Sequence, residues 1–487
     1  MSGNELRGPE ALNDQGSHLM RLGRVDEAIS CYARAIEIRP DYTLALGNLG
    51  LALLSQERAA EAVAAYRRAL ALAPEDADLH HGLAAALAQT GRTEEAAGHY
   101  RRAVALKPDH AEALVNLGSL LRGMGQLDEA LCLQRRAAGL SPGHAEILNQ
   151  LGMTLRERNE LPPAIACFTA ATALRPAYTA ARVNLALALL ADGQFQRGSE
   201  EYEWRWRGYR DARLPAIAAP LWDGRALGNG TLLLWAEQGL GDTIQFARYA
   251  PLLRSHAGRI VLACPPPLLR LMRGARGIDD VVSTGAALPP ADAYLPLLSL
   301  MHRLGTTLDT IPAEVPYLAA HPGRSAALAP LLAGEGLRVG LTWSGHPRHP
   351  NDHRRSLPPS LLRPLLDIPG IRYFALYPGG SSAAAGMPGI VDLSPHLVDL
   401  ADTAAVVSAL DLVISVDTAV AHLAGALARP TWLLLPFSAD WRWLTARRDT
   451  PWYPTMRLFR QEQPGAWASV IAEIAAALRE RVSAPAP

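Results

Sequence analysis

Three short segments carry the residue types and spacings that could do chemistry. The first is Ala-Glu-Gln-Gly-Leu-Gly-Asp (236–242), which directly follows the apolar run Thr231–Trp235. Gly239 and Gly241 would let the backbone turn tightly and approach a ligand, leaving Asp242 at the start of a helix. A carboxylate there either caps its helix or, beside a sugar hydroxyl, serves as a general base. A dinucleotide fingerprint is excluded: the third glycine of Gly-x-Gly-x-x-Gly is missing, and the next apolar run closes on Leu262-Ala263-Cys264 without an acidic residue. The second segment is Asp417-Thr418, after the apolar run Leu412–Val416, with a helix through Ala419 that carries His422 four residues past the threonine. Helix N–H groups, a hydroxyl and an imidazole in that arrangement suit a diphosphate; the plainer alternative is a capping Asp-Thr followed by a core histidine. The third is the loop from Ser344 to Pro358, whose Arg354 and Arg355 are candidate phosphate contacts. His346, His349 and His353 in the same loop match no common metal spacing, and no Asp-x-Asp triplet stands at a strand end, so a scheme without metal is expected.

These segments need elements to aim them, and the surrounding pattern supplies a parallel sheet. Short apolar runs alternate with helical stretches: strands at Thr231–Trp235, Arg259–Cys264 and Asp280–Ser283, with helices at Asp242–Leu253 and Pro266–Arg273. A second set of strands begins at Leu337–Trp343 and continues at Ile371–Tyr377, Leu412–Val416 and Thr431–Leu435, with helices near 360–367, 402–409 and 418–428. A Pro-rich crossing near Ile311–Pro322 separates the two sets. Two such domains define a cleft, with ligand at the carboxyl ends of the strands, and closure would bring base and donor together.

The first two-fifths of the chain is a different object. Prolines 40, 74, 108, 142 and 176 are spaced by 34 residues. In the same register recur Ala28, Ala62, Ala96, Ala130 and Ala164, then Tyr32, Tyr66, Tyr100, Gln134 and Phe168, then Ala35, Ala69, Ala103, Ala137 and Ala171. Small residues let helices approach, the large side chain fills the gap to the next helix pair, and proline stops the second helix. A sixth unit starts at Ala177 and departs at Gly198 into Trp204, Trp206 and Tyr209, which suits a terminal helix packing on a following domain.

Composition narrows the partners. With 47 basic and 47 acidic residues among 487, no net field favours nucleic acid or an anionic membrane surface. The amino-terminal residues MSGNELRGPE lack the pattern of a secretory leader, and no run is apolar for long enough to span a bilayer, so a cytoplasmic location without a transmembrane segment is expected. Cys31, Cys132, Cys167 and Cys264 are far apart and read as reduced core thiols.

On these residues the repeats resemble tetratricopeptide repeats. The segments GLGDTIQFARYAPLL (239–253), RRSLP (354–358) and VDTAVAHLAGALARPTWLLLP (416–436) resemble the heptosyltransferase-type, glycosyltransferase family 9-like enzymes of GT-B fold, nearest to bacterial members with such repeats at the amino end. The resemblance implies an α-helical solenoid of about six repeats (1–206), then an α/β GT-B module of two Rossmann-like domains, 207–325 on the acceptor side and 326–487 binding the nucleotide sugar. It implies an inverting, metal-independent transfer with no cofactor beyond a nucleotide-diphosphate sugar as donor substrate. The base falls on Asp242, and the anion site on Asp417, Thr418, Ala419 and His422. The cationic position, where many relatives have lysine, falls on Arg355. Gly239, Gly241, Ser344 and Arg354 complete the nucleotide-sugar set.

Asp14, Asn48, Gly82, Asn116, Gln150 and Asn184 share one register in the repeats. They resemble the asparagine ladder with which repeat-bearing protein O-glycosyltransferases grip an extended peptide, so Asn48, Asn116, Gln150 and Asn184 are candidate acceptor contacts. Packing between helices is the alternative use of the same amides. Three readings follow: a transferase acting on Ser or Thr of a protein held in the repeat groove, flagellin being one candidate; a transferase acting on lipopolysaccharide or another glycan; and a non-catalytic repeat scaffold. Retention of Asp242, Thr418, His422 and the basic pair at 354–355 argues against the scaffold. Donor identity would rest on the loops Tyr377–Ser382 and Pro436–Trp443, which carry no readable code.

Overall fold

The structure, a computed structural model, describes residues 8–209, 214–348, 351–377 and 387–483. The chain divides into two compact units, Met1–Ala181 and Arg182–Pro487. His349 and most of the loop Tyr377–Ser382 lie outside the described residues.

The first unit holds five helix pairs: Pro9–Arg21 with Val25–Ile38, Thr43–Ser55 with Ala59–Leu72, Ala77–Gln89 with Thr93–Leu106, Ala111–Gly123 with Leu127–Leu140, and Ala145–Glu157 with Leu161–Leu174. Each second helix stops two residues before its proline. The residue between, such as Arg39 at ψ 93° or Arg175 at ψ 90°, leaves the helical region as a following proline requires. The recurrent alanines are fully buried. In four of the five pairs the large side chain of the second helix lies over a glycine of the first, Ala84 taking that place opposite Tyr100: a Cβ on Gly16, Gly50, Gly118 or Gly152 would sit 2.6, 2.6, 2.7 or 2.7 Å from Tyr32, Tyr66, Gln134 or Phe168. That close approach is why the register pairs a large side chain with a small residue. Tyr66 also reaches Gly82 of the next pair, so one ring seals two repeats.

The second unit begins inside the helix Thr179–Ala191 and continues through Phe195–Tyr202 and the tight turn Glu203–Trp206. Phe195 and Tyr202 enter its core, with Trp204 and Tyr209 packed at the edge. Two parallel sheets follow. The first contains β1 (Thr231–Trp235), β2 (Arg259–Cys264), β3 (Asp280–Ser283) and β4 (Ala293–Pro296), in the order β3-β2-β1-β4. The second contains β5 (Leu337–Thr342), β6 (Ile371–Ala375), β7 (Ile390–Asp392), β8 (Leu412–Val416), β9 (Thr431–Leu435) and β10 (Met456–Arg460), in the order β10-β9-β8-β5-β6-β7. Strands β8 and β9 are buried at every residue, as parallel strands covered on both faces must be, and so read as unbroken apolar runs. The helix expected over Asp242–Leu253 is shorter: Leu240–Phe246 is α-helical and Ala247–Ser255 tightens to a 3₁₀ form around Pro251, which cannot donate to an α-helical ladder.

One apolar core runs through this unit, from Leu232 and Leu262 by way of Phe246 and Tyr249 to Leu433, Trp443, Trp452 and Tyr453. This corrects the expected open cleft. Cys264 is buried in that core, whereas Cys31 and Cys167 are half-buried and Cys132 is exposed, which corrects the reading of all four cysteines as core thiols. The helices Leu240–Phe246 and Ala419–Ala426, from different sheets, pack on each other, and buried Arg248 ties them down by donating to the carbonyls of Gln245 and Trp452 and to the Tyr317 hydroxyl. Among the described residues no helix is long and apolar enough to cross a membrane.

Candidate active site

Strand ends decide what meets here. In the second sheet the chain leaves the neighbouring strands β5 and β8 in opposite directions, toward β6 and toward β9, and loops at such a reversal leave a recess at the carboxyl ends. The turn 236–242 follows β1; the loop to Arg355 follows β5; Asp417 follows β8; Asp440 and Arg442 follow β9.

Asp242 is at the third position of its helix, and its two oxygens have different partners. Oδ2 accepts from the Gly239 N–H at 2.7 Å, while Oδ1 is ion-paired with the Arg442 guanidinium. The capping role and a chemical role are therefore compatible: one oxygen fixes the turn and the other faces the strand ends of the second sheet. Arg442 has only 8% of its side chain exposed and is held by Asp440 at 2.8 Å and by the Gln245 amide oxygen at 2.6 Å. Those carboxylates more than offset burial and keep it charged.

The glycines of the turn work differently from expectation. The left-handed residue is Gln238, at φ 66°, whereas Gly239 is extended at φ −84°. Gly241 is small because His422 is there: a Cβ would lie 2.8 Å from the imidazole Cδ2. What Gly241 admits in this structure is a side chain of the other sheet rather than a ligand.

Thr418 caps the helix Ala419–Ala426 with extended backbone and no side-chain bond to the helix, its hydroxyl lying 3.1 Å from Ser415 Oγ. The helix N–H groups at Ala419 and Val420 remain available for an anion. His422 is 5% exposed, stacked on Trp443 with ring centroids 5.3 Å apart, its Nδ1 3.0 Å from the Tyr453 hydroxyl. Burial, then Arg442, Arg248 and Arg355, holds its pKa well below the usual histidine range, so it brings a neutral ring and no positive charge. Asp417 is the reverse case. Burial and the nearby Asp440 carboxylate push its pKa up to about 6.

Arg355 spans the gap between β5 and β8. Its Nη1 donates to the Asp417 carbonyl at 2.9 Å and its Nε to Asp352 at 3.3 Å, and it lies so close to Gly345 that a Cβ there would be 2.5 Å from Nη2. Arg354 is half-buried on the same short helix, Asp352–Arg355. Ser344 is committed to Tyr377, which accepts from its N–H at 3.1 Å and its hydroxyl at 3.2 Å.

The amides in the repeats are also engaged. Asn48 donates to Asn13 at 2.8 Å, Asn116 pairs with His81 at 2.9 Å, and Gln150 accepts from Ser119 at 3.2 Å, each partner lying on the first helix of the preceding repeat. They staple successive repeats while remaining half-buried. Asn184 falls in the second unit and is buried. A cavity of about 340 Å³ opens at the opposite ends of β5 and β8, but its two charged lining residues, Arg338 and Asp411, bind each other at 2.8 Å.

Sequence reasoning placed Asp440, Arg442 and Trp443 only within the loop Pro436–Trp443, with no role for any of them, and missed Tyr453. A signal was present: Trp441-Arg442-Trp443 repeats the earlier triplet Trp204-Arg205-Trp206, and an arginine flanked by two tryptophans is a poor candidate for a solvated surface.

Comparison with known proteins matches the same two parts. Tetratricopeptide repeat models match residues 13–77, 149–203 and 75–140, and the glycosyltransferase family 9 (heptosyltransferase) model matches residues 381–434, which include Asp417, Thr418 and His422. Protein FlbA of Caulobacter vibrioides is 29% identical over 324 residues, or 61% of this chain. The chain spans about half the length of that relative, 54%. Solved structures similar to part of the chain include YrrB, a tetratricopeptide-repeat protein with an unusual peptide-binding site, at 24% identity over 35% of this chain and 88% of YrrB with a TM-score of 0.30. Another is Pseudomonas aeruginosa PilF, at 18% identity over 42% of this chain and 92% of PilF with a TM-score of 0.38.

Proposed function

We propose that this chain, tetratricopeptide repeats joined to a glycosyltransferase family 9 domain, is a GT-B enzyme that moves a sugar from a nucleotide-diphosphate donor to a protein hydroxyl, with inversion and without metal. The single observation that carries the reading is the meeting of Asp242, from the first sheet, with Arg442 and the Thr418–His422 helix end, from the second. The order of the six-stranded sheet is that of a doubly wound sheet, and the residues proposed to hold the diphosphate follow the strands at its reversal point, which supports the reading.

In the proposed transfer the bond from the anomeric carbon to the donor phosphate oxygen breaks and its electron pair stays on the diphosphate. The acceptor oxygen bonds to the anomeric carbon from the opposite face, and its proton passes to Asp242. Negative charge growing on the diphosphate is met by the N–H groups after Thr418 and by Arg355. Arg442 is placed to exchange Asp242 for phosphate, which would free the carboxylate oxygen as the leaving group becomes anionic. His422 gives orientation through one N–H. The half-buried amides Asn48, Asn116 and Gln150 are the proposed contacts for an extended acceptor, with flagellin as one candidate. A cytoplasmic site of action is part of the same proposal.

Asp242→Asn keeps the cap on Gly239 but removes the base. Transfer should fall by about 10²-fold or more while affinity for the nucleotide sugar stays within a few-fold. Mass spectrometry of a co-expressed candidate acceptor reads out the added sugar and its position; full modification by the Asp242→Asn enzyme would remove Asp242 as base.

A further inference from the structure

The turn that ends in Asp242 is gripped from its other side by charges that the transfer itself does not use. Arg205, 3% exposed, donates from Nε and Nη2 to the two oxygens of Glu237 at 3.1 and 2.9 Å, and Glu237 is itself only 8% exposed. The same guanidinium reaches Glu203 at 2.8 Å, the Ser299 hydroxyl at 2.9 Å and the Tyr202 carbonyl at 3.0 Å, with the Tyr202 and Trp206 rings over it. Glu237 also accepts from the Leu298 N–H at 3.0 Å, in the loop after β4. One residue on, the Gln238 amide donates to the Tyr202 hydroxyl at 2.6 Å.

Hydrophobic residues of similar volume would cover this space at least as stably as a buried ion pair. What the pair supplies is direction. Gln238 is in the left-handed region at φ 66°, a conformation that a non-glycine residue holds only when its surroundings impose it. Glu237 and Gln238 are both imposed on, by Arg205 and Tyr202. The backbone they fix then presents the Gly239 N–H to Asp242.

Building on the proposed function, we infer that Arg205, Glu237 and Tyr202 are positioning residues for Asp242: a buried clamp from the turn Glu203–Trp206 that sets where the base stands. Arg205 and Arg442, each in a Trp-Arg-Trp triplet, hold the two ends of the stretch Glu237–Asp242, Arg205 through Glu237 and Arg442 through Asp242.

The test is the double substitution Arg205→Met with Glu237→Met in the full chain, which removes the buried pair together and leaves Glu203, 24% exposed, on the Ser299 hydroxyl. The unfolding midpoint should stay or rise, while kcat for transfer falls about tenfold or more and the donor KM stays within about twofold. Added to Asp242→Asn, the same pair should cause no further loss, because it acts through that carboxylate. Arg205→Lys should not restore the rate, since one ammonium cannot make the forked contacts. Tyr202→Phe, which removes one hydroxyl, should lower kcat at least threefold and serves if the double variant does not fold. Amide exchange at residues 238–243 decides the clamp independently of transfer: faster exchange in the variants supports it even if no acceptor is ever modified, a result that would count against the function alone. Unchanged exchange with unchanged kcat overturns the clamp.

Discussion

Asp417→Asn tests the electrostatics of the site without requiring a substrate. The carboxyl is half-buried between β8 and the Thr418 helix, and burial with the neighbouring Asp440 charge raises its pKa from 3.8 to about 6. Between those values the folded protein holds a proton that the unfolded chain has released. Folding stability therefore falls as pH rises through this window, and the full penalty is present above about pH 6. Some two pH units at about 1.4 kcal/mol each make that penalty about 3 kcal/mol. The bond from Arg355 goes to the Asp417 main-chain carbonyl, so the substitution leaves it in place. Urea unfolding of both proteins at a series of pH values should show the variant more stable by about 3 kcal/mol at pH 7.5, with the difference closing toward pH 4. A variant less stable than the parent at pH 7.5, or a difference that does not change with pH, would refute the account of Asp417 as a strained carboxylate.

Gly241→Ala places a methyl 2.8 Å from the His422 ring, and 3.5 Å from Ala419 Cα, in the contact between the two helices. It should cost about 1–3 kcal/mol in denaturant unfolding. Gly98→Ala, mid-helix with open space around it, should be neutral or stabilising, and an equal loss at both would show that the contact is not the cause. Deleting residues 1–176 should spare slow hydrolysis of the donor but abolish modification of the protein acceptor; normal acceptor modification by the shortened chain would refute recruitment by the repeats.

The repeats were legible because their period is enforced by packing. A large side chain needs a small residue opposite it and a helix needs its stop, so Tyr32 with Gly16 and Arg39 before Pro40 leave marks at fixed spacing. Strands β1, β2, β3, β8 and β9 were legible at their observed bounds as short apolar runs bounded by turn residues. β4, β7 and β10 escaped for local reasons. β4 ends on Pro296, β7 is three residues long at a sheet edge, and β10 alternates with Arg457 and Arg460. In the site, Asp242 and Asp417 stand at turns that announce themselves. The Trp-Arg-Trp triplet marks Arg442 as a buried cation but not its role, which depends on a partner 200 residues away that no local pattern records.

The continuous core changes what closure can mean. Two domains that swing about a linker need an interface that opens at little cost, yet Phe246, Trp452 and Tyr453 are fully buried where the halves meet, and Arg248 is buried among them. Parting them would expose large aromatic area together with a charge, at about 25 cal/mol for each Å² of apolar surface. The Arg442–Asp242 pair lies at the margin of that core, and exchanging its carboxylate for a phosphate trades one charge-assisted bond for another of the same kind. In the proposed transfer, donor entry is therefore cheaper by rearrangement of charged side chains at the strand ends than by hinging. On that proposal the energy of binding diphosphate goes into releasing Asp242, so that the proposed base becomes free only when a leaving group is in place.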